Sequence, residues 1–147
     1  MERLLLAVAV VAIAAAIGEV VRRRRAADPP TQPRFDVPAQ IDRSDFDGDG
    51  WLVAVFTSDS CSTCADVVSK AMVVAGPEVD VHVASFQDAR RIHDRYRIDA
   101  VPCVLIADGD GVVHRSFIGP VTATDLWAAV AEARNPGTIE RRGECEH

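Results

Sequence analysis

The chain has 147 residues, of which 48% are hydrophobic and 26% charged, and it carries a net charge of −6. This length suits one domain of about 100 to 150 residues with a single core. The acidic balance excludes a strongly basic protein that coats nucleic acid, so no nucleic-acid partner is expected. Four cysteines are too few for a small secreted scaffold held together by disulfides.

The N-terminal segment, residues 1–25, is the most apolar part of the chain. Fourteen uninterrupted apolar residues run from 4 to 17, and the stretch continues through Gly18 to Val21 with Glu19 as its only charge. Eighteen residues make a helix of about 27 Å, just long enough to cross a hydrocarbon core of about 30 Å. We therefore predict a single-pass transmembrane helix that anchors the protein in a membrane.

Two other interpretations of this segment stay open, a cleaved signal peptide and a buried helix of a soluble domain. A signal peptide has its positive charges before the apolar region, whereas here Glu2 offsets Arg3 and four arginines follow at 22–25. Because arginines beside a membrane helix tend to stay on the cytoplasmic side, we expect the rest of the protein to face the cytoplasm. An extracytoplasmic domain is the alternative.

Two further segments lack the pattern of a folded domain. Residues 26–40 contain four prolines and are predicted to form an extended, semi-rigid linker. Residues 135–147, which include Cys145, are predicted to form a disordered tail. The folded domain is therefore placed at 41–134.

Strands and helices are predicted to alternate within 41–134. Strands are expected at 51–57, 79–86, 102–107 and 112–118, with a tight turn at 108–111, and helices at 66–75, at 88–96 and after Thr122, which begins a capping box. The order βαβαββα defines an α/β fold, preceded by a short strand near Ile41 and a helical turn at 43–46. The first and last helices are expected to bury Val67, Val68, Ala71, Met72 and Ala75, and Leu126, Trp127, Val130 and Ala133.

Cys61 and Cys64 form a C-x-x-C pair where the first strand ends and its helix begins. At a helix N-terminus, unpaired N–H groups and the helix dipole stabilise an anion, which lowers the pKa of a thiol below its usual value of about 8.5. Cys61 is therefore the predicted nucleophile. The spacing places Cys64 within disulfide reach, so Cys64 is predicted to resolve a mixed disulfide.

Two other interpretations of the pair stay open, namely half of a zinc site and an inert buried pair. A structural zinc site needs two more ligands at suitable spacing, and Cys103, Cys145 and the four histidines follow no such pattern. A redox dithiol that uses no metal or other cofactor is therefore favoured. The sequence D-F-D-G-D-G at 45–50 begins like a calcium loop, but its position twelve is Phe56, where a bidentate Glu is required.

Three features together make the segment from about 41 to 134 resemble the thioredoxin family. They are the turn F-T-S-D-S-C-S-T-C at 56–64, the sequence I-D-A-V-P that ends 38 residues after Cys64, and Gly119 after the next strand. The resemblance implies a thioredoxin-like fold with a central mixed β-sheet flanked by helices. It also implies that Pro102 is cis, packs beside the cysteines and leaves the Val101 backbone free to pair with an extended substrate.

The chain departs from the family's pattern around the cysteines. Ser60 stands where the best-known members have Trp, and Ser62-Thr63 stands in place of Gly-Pro. The buried acid six residues before the first cysteine is replaced by Val55, and its frequent lysine partner by Val83. The usual buried charge pair is therefore expected to be absent, and with it the acid-base help it gives.

Asp59 and Cys103 are candidate accessory residues. Asp59 precedes Cys61 by two positions and is a candidate proton carrier, although a solvated turn residue is the simpler interpretation. Cys103 directly follows Pro102. It is either a third thiol or cluster ligand at the site, or a small hydrophobe buried in a strand.

The sequence thus predicts a membrane-tethered thiol-disulfide oxidoreductase that acts through Cys61 and Cys64 on a disulfide-containing protein or a small thiol. The alternative is a non-catalytic thioredoxin-fold module that binds a partner or a metal at the membrane. Ser62-Thr63 leaves the direction of electron flow and the electron donor open, since known C-x-x-C couples span about −270 to −120 mV.

Overall fold

The computed structural model of the protein describes residues 36–137. The predicted membrane helix at 1–25, most of the linker at 26–40 and most of the tail, including Cys145, lie outside these residues. Within 36–137, no helix is long and apolar enough to span a membrane.

Four strands and three helices follow one another in this range in the order expected from the sequence. They are β1 (Trp51–Thr57), α1 (Cys64–Met72), β2 (Val79–Ser85), α2 (Arg90–Tyr96), β3 (Cys103–Ala107), β4 (Val113–Ile118) and α3 (Ala123–Arg134). A 3-10 turn at Arg43–Asp45 precedes them. In place of the short strand expected near Ile41, Gln40 forms a single antiparallel bridge with Val112.

The bounds of α1 and α2 differ from the predicted ones by a few residues. α1 stops three residues early because the N–H groups of Val74 and Ala75 bond three residues back, which tightens the chain into turns before Gly76. α2 starts late because the N–H groups of Asp88 and Ala89 both bond to the Ser85 carbonyl at the end of β2. Local hydrogen bonds at the helix ends, and not the apolar pattern, therefore set these limits.

The sheet has the strand order β2-β1-β3-β4. β1 pairs parallel with β2 and antiparallel with β3, and β3 pairs antiparallel with β4. Since β1 lies inside the sheet and both faces are covered, its residues from Leu52 to Phe56 are fully buried at 0% exposure. Burial on both faces is the reason for its continuous apolar sequence.

Alternate side chains of β1 enter two separate core clusters, one on each face of the sheet. Leu52, Ala54 and Phe56 lie in the first core cluster, together with Tyr96 of α2. The second core cluster lies under α1 and α3, and it contains Val53, Val55, Val67, Ala71, Val104, Ile106, Leu126, Ala129 and Val130. Cys64, at the start of α1, belongs to the first cluster.

α3 begins as predicted, but its buried face does not include Trp127. The Thr122 hydroxyl accepts a hydrogen bond of 3.1 Å from the Asp125 N–H and caps the helix. Trp127 is 42% exposed, because its indole Nε1 donates to the Lys70 carbonyl at 2.9 Å and the ring lies over the end of α1. Ala129 takes the inward position instead.

The buried face of α1 is also narrower than expected. Val67 and Ala71 are fully buried and Val68 packs against the second core cluster. Met72 is 51% exposed and Ala75 is exposed as well, because the helix ends at Met72 and the chain turns away from the sheet there.

His93 of α2 is a buried ionisable residue beneath the sheet. It is 1% exposed, and its ring meets the rings of Phe56 and Phe86 edge-on. Nε2 lies 2.9 Å from the Ala84 carbonyl oxygen, which can only accept, so Nε2 carries the proton. Burial lowers the pKa of His93, and the Ala84 hydrogen bond and Asp94 oppose this only in part.

We therefore expect the stability of the protein to fall between about pH 7 and about pH 5. Below a pH of about 6.5 the unfolded chain binds a proton on His93 that the folded protein resists, so the free energy of unfolding decreases by up to about 1.4 kcal/mol per pH unit. His93→Gln keeps a hydrogen-bond donor for the Ala84 carbonyl. It should remove this pH dependence of the free energy of unfolding, whatever its effect on absolute stability. Urea denaturation across this pH range measures the difference.

The matched control is His82→Gln, which removes a histidine that is only partly buried beside Phe46. This variant should keep the pH dependence of the wild type. A His93→Gln variant that loses stability with falling pH as steeply as the wild type does would contradict the prediction.

Candidate active site

The C-x-x-C pair lies in the turn that joins β1 to α1. β1 ends at Thr57, and α1 begins at Cys64. The Cys61 N–H donates to the Ser58 carbonyl at 3.1 Å, and the Cys64 N–H to the Cys61 carbonyl at 3.4 Å, so the turn is held by its own backbone. A disulfide joins Cys61 to Cys64, whose Cα atoms are 5.5 Å apart.

The two sulfurs differ in their access to solvent. Cys61 is partly exposed and packs against the edge of the first core cluster. Cys64 is 4% exposed and lies inside that cluster. Once the disulfide is reduced, Cys61 is the sulfur that an outside reactant meets first, and Cys64 is positioned to attack from within.

The N-terminus of α1 favours a negative charge next to the pair. α1 has nine residues, and the N–H groups of its first turn lack partners within the helix. Thr63 occupies the N-cap position, but its side chain makes no capping hydrogen bond. Instead the Thr63 hydroxyl lies 3.8 Å from Cys61 Sγ.

Val101 and Pro102 directly precede β3. Their peptide bond is cis. Val101 belongs to the first core cluster with Cys64, and Pro102 is fully buried. Gly119, at φ +89°, donates its N–H to the Pro102 carbonyl at 2.7 Å, a conformation that favours glycine and accounts for the glycine noted in the sequence.

Antiparallel pairing brings this segment to the site. Residue Cys103 of β3 is the register partner of Phe56, near the end of β1 that leads into the cysteine turn. In an antiparallel pair one strand starts where its neighbour ends. The beginning of β3, with Val101 and Pro102 before it, is therefore placed beside the turn despite the long separation in sequence.

Cys103 is a free cysteine buried in the first core cluster, with 2% exposure. Burial raises the pKa of its thiol to about 12. The thiol is therefore protonated at neutral pH, which suits a small hydrophobe in a strand. A role as a third thiol in exchange stays a prediction.

Asp59 lies in the exposed part of the turn. Its backbone N–H donates to the Gln87 side-chain oxygen at 3.1 Å. Within residues 36–137 its carboxylate is engaged in no hydrogen bond or ion pair. Its role as a proton carrier is a prediction that this geometry leaves untested.

Val55 and Val83, at the positions where members of the thioredoxin family often carry a charged pair, are neighbours in the sheet. Val55 of β1 and Val83 of β2 are register partners. Val55 is fully buried among apolar side chains, whereas Val83 is 42% exposed because β2 is an edge strand. No ionisable group takes the place of the family's acid at position 55.

The acidic loop at 45–50 is hydrogen-bonded to the guanidinium group of Arg43. Arg43 donates from Nη2 to the Gly48 carbonyl at 2.8 Å and to the Gly50 carbonyl at 3.3 Å. The Asp45 carboxylate accepts from Tyr96 at 2.6 Å and from Arg95 at 2.8 Å. Among the described residues, no three His, Cys, Asp or Glu side chains are grouped to bind a metal ion.

The fold is similar to two solved structures. A thioredoxin from Fasciola hepatica has a TM-score of 0.50 and 21% identity, over 57% of this chain and 81% of the thioredoxin. A malarial protein has a TM-score of 0.51 and 12% identity, over 56% of this chain and 96% of its own. No protein-family model and no curated protein matches the sequence.

At these identities the similarity establishes the fold alone. The mixed sheet with flanking helices resembles the thioredoxin fold. This fold, together with the close pair of Cys61 and Cys64, supports a thiol-disulfide oxidoreductase in general.

The sequence by itself does not indicate Thr63 as a functional residue. Its one sequence signal is a threonine directly before a helix, where a side-chain cap is the usual assignment. The structure turns the hydroxyl toward Cys61 instead.

We expect Cys103 to resist alkylation in the folded protein. Its buried thiol is protonated and closed to solvent, whereas Cys61 becomes reactive as soon as the disulfide is reduced. Iodoacetamide at about pH 8, followed by peptide mass spectrometry, should modify Cys61 within minutes and Cys103 only in denaturant. Equal rates for Cys103 in buffer and in denaturant would contradict the assigned burial.

Proposed function

We propose that the protein is a membrane-tethered thiol-disulfide oxidoreductase with Cys61 as the attacking and Cys64 as the resolving residue. The observation that carries this proposal is the Cys61–Cys64 disulfide at the start of α1, with one sulfur partly exposed and the other buried. The substrate class is a protein disulfide or a small disulfide or thiol.

The exchange runs in two steps that conserve electrons. The Cys61 thiolate attacks a substrate disulfide, forms a mixed disulfide and releases one substrate thiolate. The Cys64 thiolate then attacks Cys61 Sγ, which restores the intramolecular disulfide and releases the second substrate thiolate. Two electrons pass from the protein to the substrate, and the reverse sequence oxidises a substrate dithiol.

The backbone of Val101 is proposed to hold an extended substrate beside Cys61. Within residues 36–137 neither its N–H nor its carbonyl has a hydrogen-bond partner, although Val101 is only 6% exposed. An extended peptide satisfies such groups by pairing as an added strand. Pro102, which directly follows Val101, is proposed to shape the surface that this peptide contacts.

The test compares Cys61→Ser and Cys64→Ser with the wild type in the full-length chain. The reduced wild type should reduce the disulfides of insulin, and Cys61→Ser should lower the rate to background because the attacking sulfur is gone. Cys64→Ser should trap a covalent complex with the substrate, released by dithiothreitol, because the resolving step is blocked.

Ser69→Ala, an exposed change on the same helix, is the matched control and should keep wild-type turnover. If the wild type does not turn over any disulfide and Cys61→Ser binds partners as well as the wild type does, the non-catalytic binding module is the better account.

We further propose that residues 1–25 anchor the protein and that the domain faces the cytoplasm. The support is the apolar stretch at 4–21 and the four arginines that follow it. The chain should then stay with membranes after alkaline carbonate extraction. A membrane-impermeant maleimide should label reduced Cys61, and Cys145, only after lysis. Labelling in intact cells would place the domain outside the cytoplasm, and extraction by carbonate would exclude the anchor.

A further inference from the structure

Thr63 presents an uncommitted hydroxyl to the attacking sulfur. Its Oγ1 lies 3.8 Å from Cys61 Sγ while that sulfur is still bonded to Cys64. A threonine at an N-cap normally has an extended backbone and bonds to an N–H of the first turn. Thr63 has φ −98° and ψ −10° and makes no such bond. Its hydroxyl is therefore free to donate a hydrogen bond to Cys61 Sγ.

We infer that Thr63 is a catalytic hydrogen-bond donor that stabilises the Cys61 thiolate. This inference deepens the proposed function and rests on it. A disulfide sulfur is a weak acceptor, whereas a thiolate carries a full charge and accepts strongly. The hydrogen bond therefore strengthens when the disulfide is reduced. It makes Cys61 more acidic and shifts the dithiol-disulfide equilibrium toward the dithiol, so the couple becomes more oxidising.

The hydroxyl matters in this chain because no positively charged side chain among the described residues bonds to the Cys61 sulfur. Within residues 36–137, no Lys, Arg or His contacts the Cys61 sulfur by a hydrogen bond or ion pair. The family's buried acid and lysine are replaced by Val55 and Val83. What remains next to the sulfur is the start of α1 and the Thr63 hydroxyl.

Ser62 provides a matched control in the same turn. It is exposed, carries a hydroxyl, and lies between Cys61 and Thr63. Within the described part of the chain its hydroxyl makes no hydrogen bond. Because Thr63 gives α1 no side-chain cap, replacing its hydroxyl removes no bond that holds the helix.

The experiment measures the pH dependence of Cys61 alkylation in the reduced full-length chain, with peptide mass spectrometry to identify the site. Thr63→Val keeps the shape of the side chain and removes the hydroxyl. We expect the thiolate fraction of Cys61 at about pH 6 to fall about two- to tenfold, as for the loss of one exposed hydrogen bond. The plateau rate at high pH should rise slightly, because a more basic thiolate is the better nucleophile.

Thr63→Ser restores the hydroxyl and should return the midpoint of the profile to the wild-type value, and Ser62→Ala should leave it unchanged. Equilibration with glutathione should move the Thr63→Val couple toward the disulfide by the same factor. Circular dichroism of each variant checks that α1 is intact.

The inference is overturned if the midpoint of Thr63→Val equals that of the wild type, or if Thr63→Ser or Ser62→Ala shifts it as much. These results are separate from those that test turnover. If the wild type exchanges no disulfide but Thr63→Val still shifts the midpoint of Cys61 alkylation, the oxidoreductase proposal is contradicted and the Thr63 hydrogen bond is supported. If the wild type reduces insulin normally but Thr63→Val leaves the midpoint unchanged, the oxidoreductase proposal is supported and the Thr63 hydrogen bond is contradicted.

Discussion

The pairing of β3 antiparallel to β1 is the constraint on which the rest of the site depends. β1 leads into the cysteine turn. Phe56, near the end of β1, is the register partner of Cys103, the first residue of β3. The antiparallel direction therefore places the beginning of β3 at the end of β1 where the disulfide lies. This direction brings the Val101–Pro102 step to the same end of the sheet as the cysteine turn, and the Gly119 N–H after β4 donates to the Pro102 carbonyl.

Around this junction the protein keeps its interior neutral and its reactive groups at the rim. Val55 and Val83 stand as register partners where the related fold often has a charge pair. An acid buried at position 55 would carry a desolvation cost, which the apolar packing of Val55 avoids, whereas Val83 is 42% exposed. Burial likewise disfavours the charged forms of His93 and Cys103 on the other face of the sheet. Cys61, by contrast, is partly exposed.

The two halves of the C-x-x-C turn serve different purposes. The backbone hydrogen bonds at Cys61 and Cys64 hold the turn in shape, and the packing of Cys64 into the first core cluster fixes the sulfur pair to the sheet. Thr63 is exposed and lies outside the core, so its hydroxyl is available to adjust the chemistry without changing the fold. A reactive turn built on a rigid strand end and a rigid helix start needs only small local changes to alter its redox behaviour.

The amino-acid sequence by itself determined the element order, the apolar centre of the sheet and the position of the cysteines at a strand-helix junction. These depend on local periodicity, and on glycine, proline and capping signals such as Thr122, which act within a few residues. Other features depended on tertiary structure. The exposure of Trp127 follows from an acceptor 57 residues away, and the placement of Val101 and Pro102 beside the cysteine turn follows from the register of β3 with β1. Such choices compare partners that only the folded chain brings within reach, which is why a one-dimensional pattern leaves them undecided.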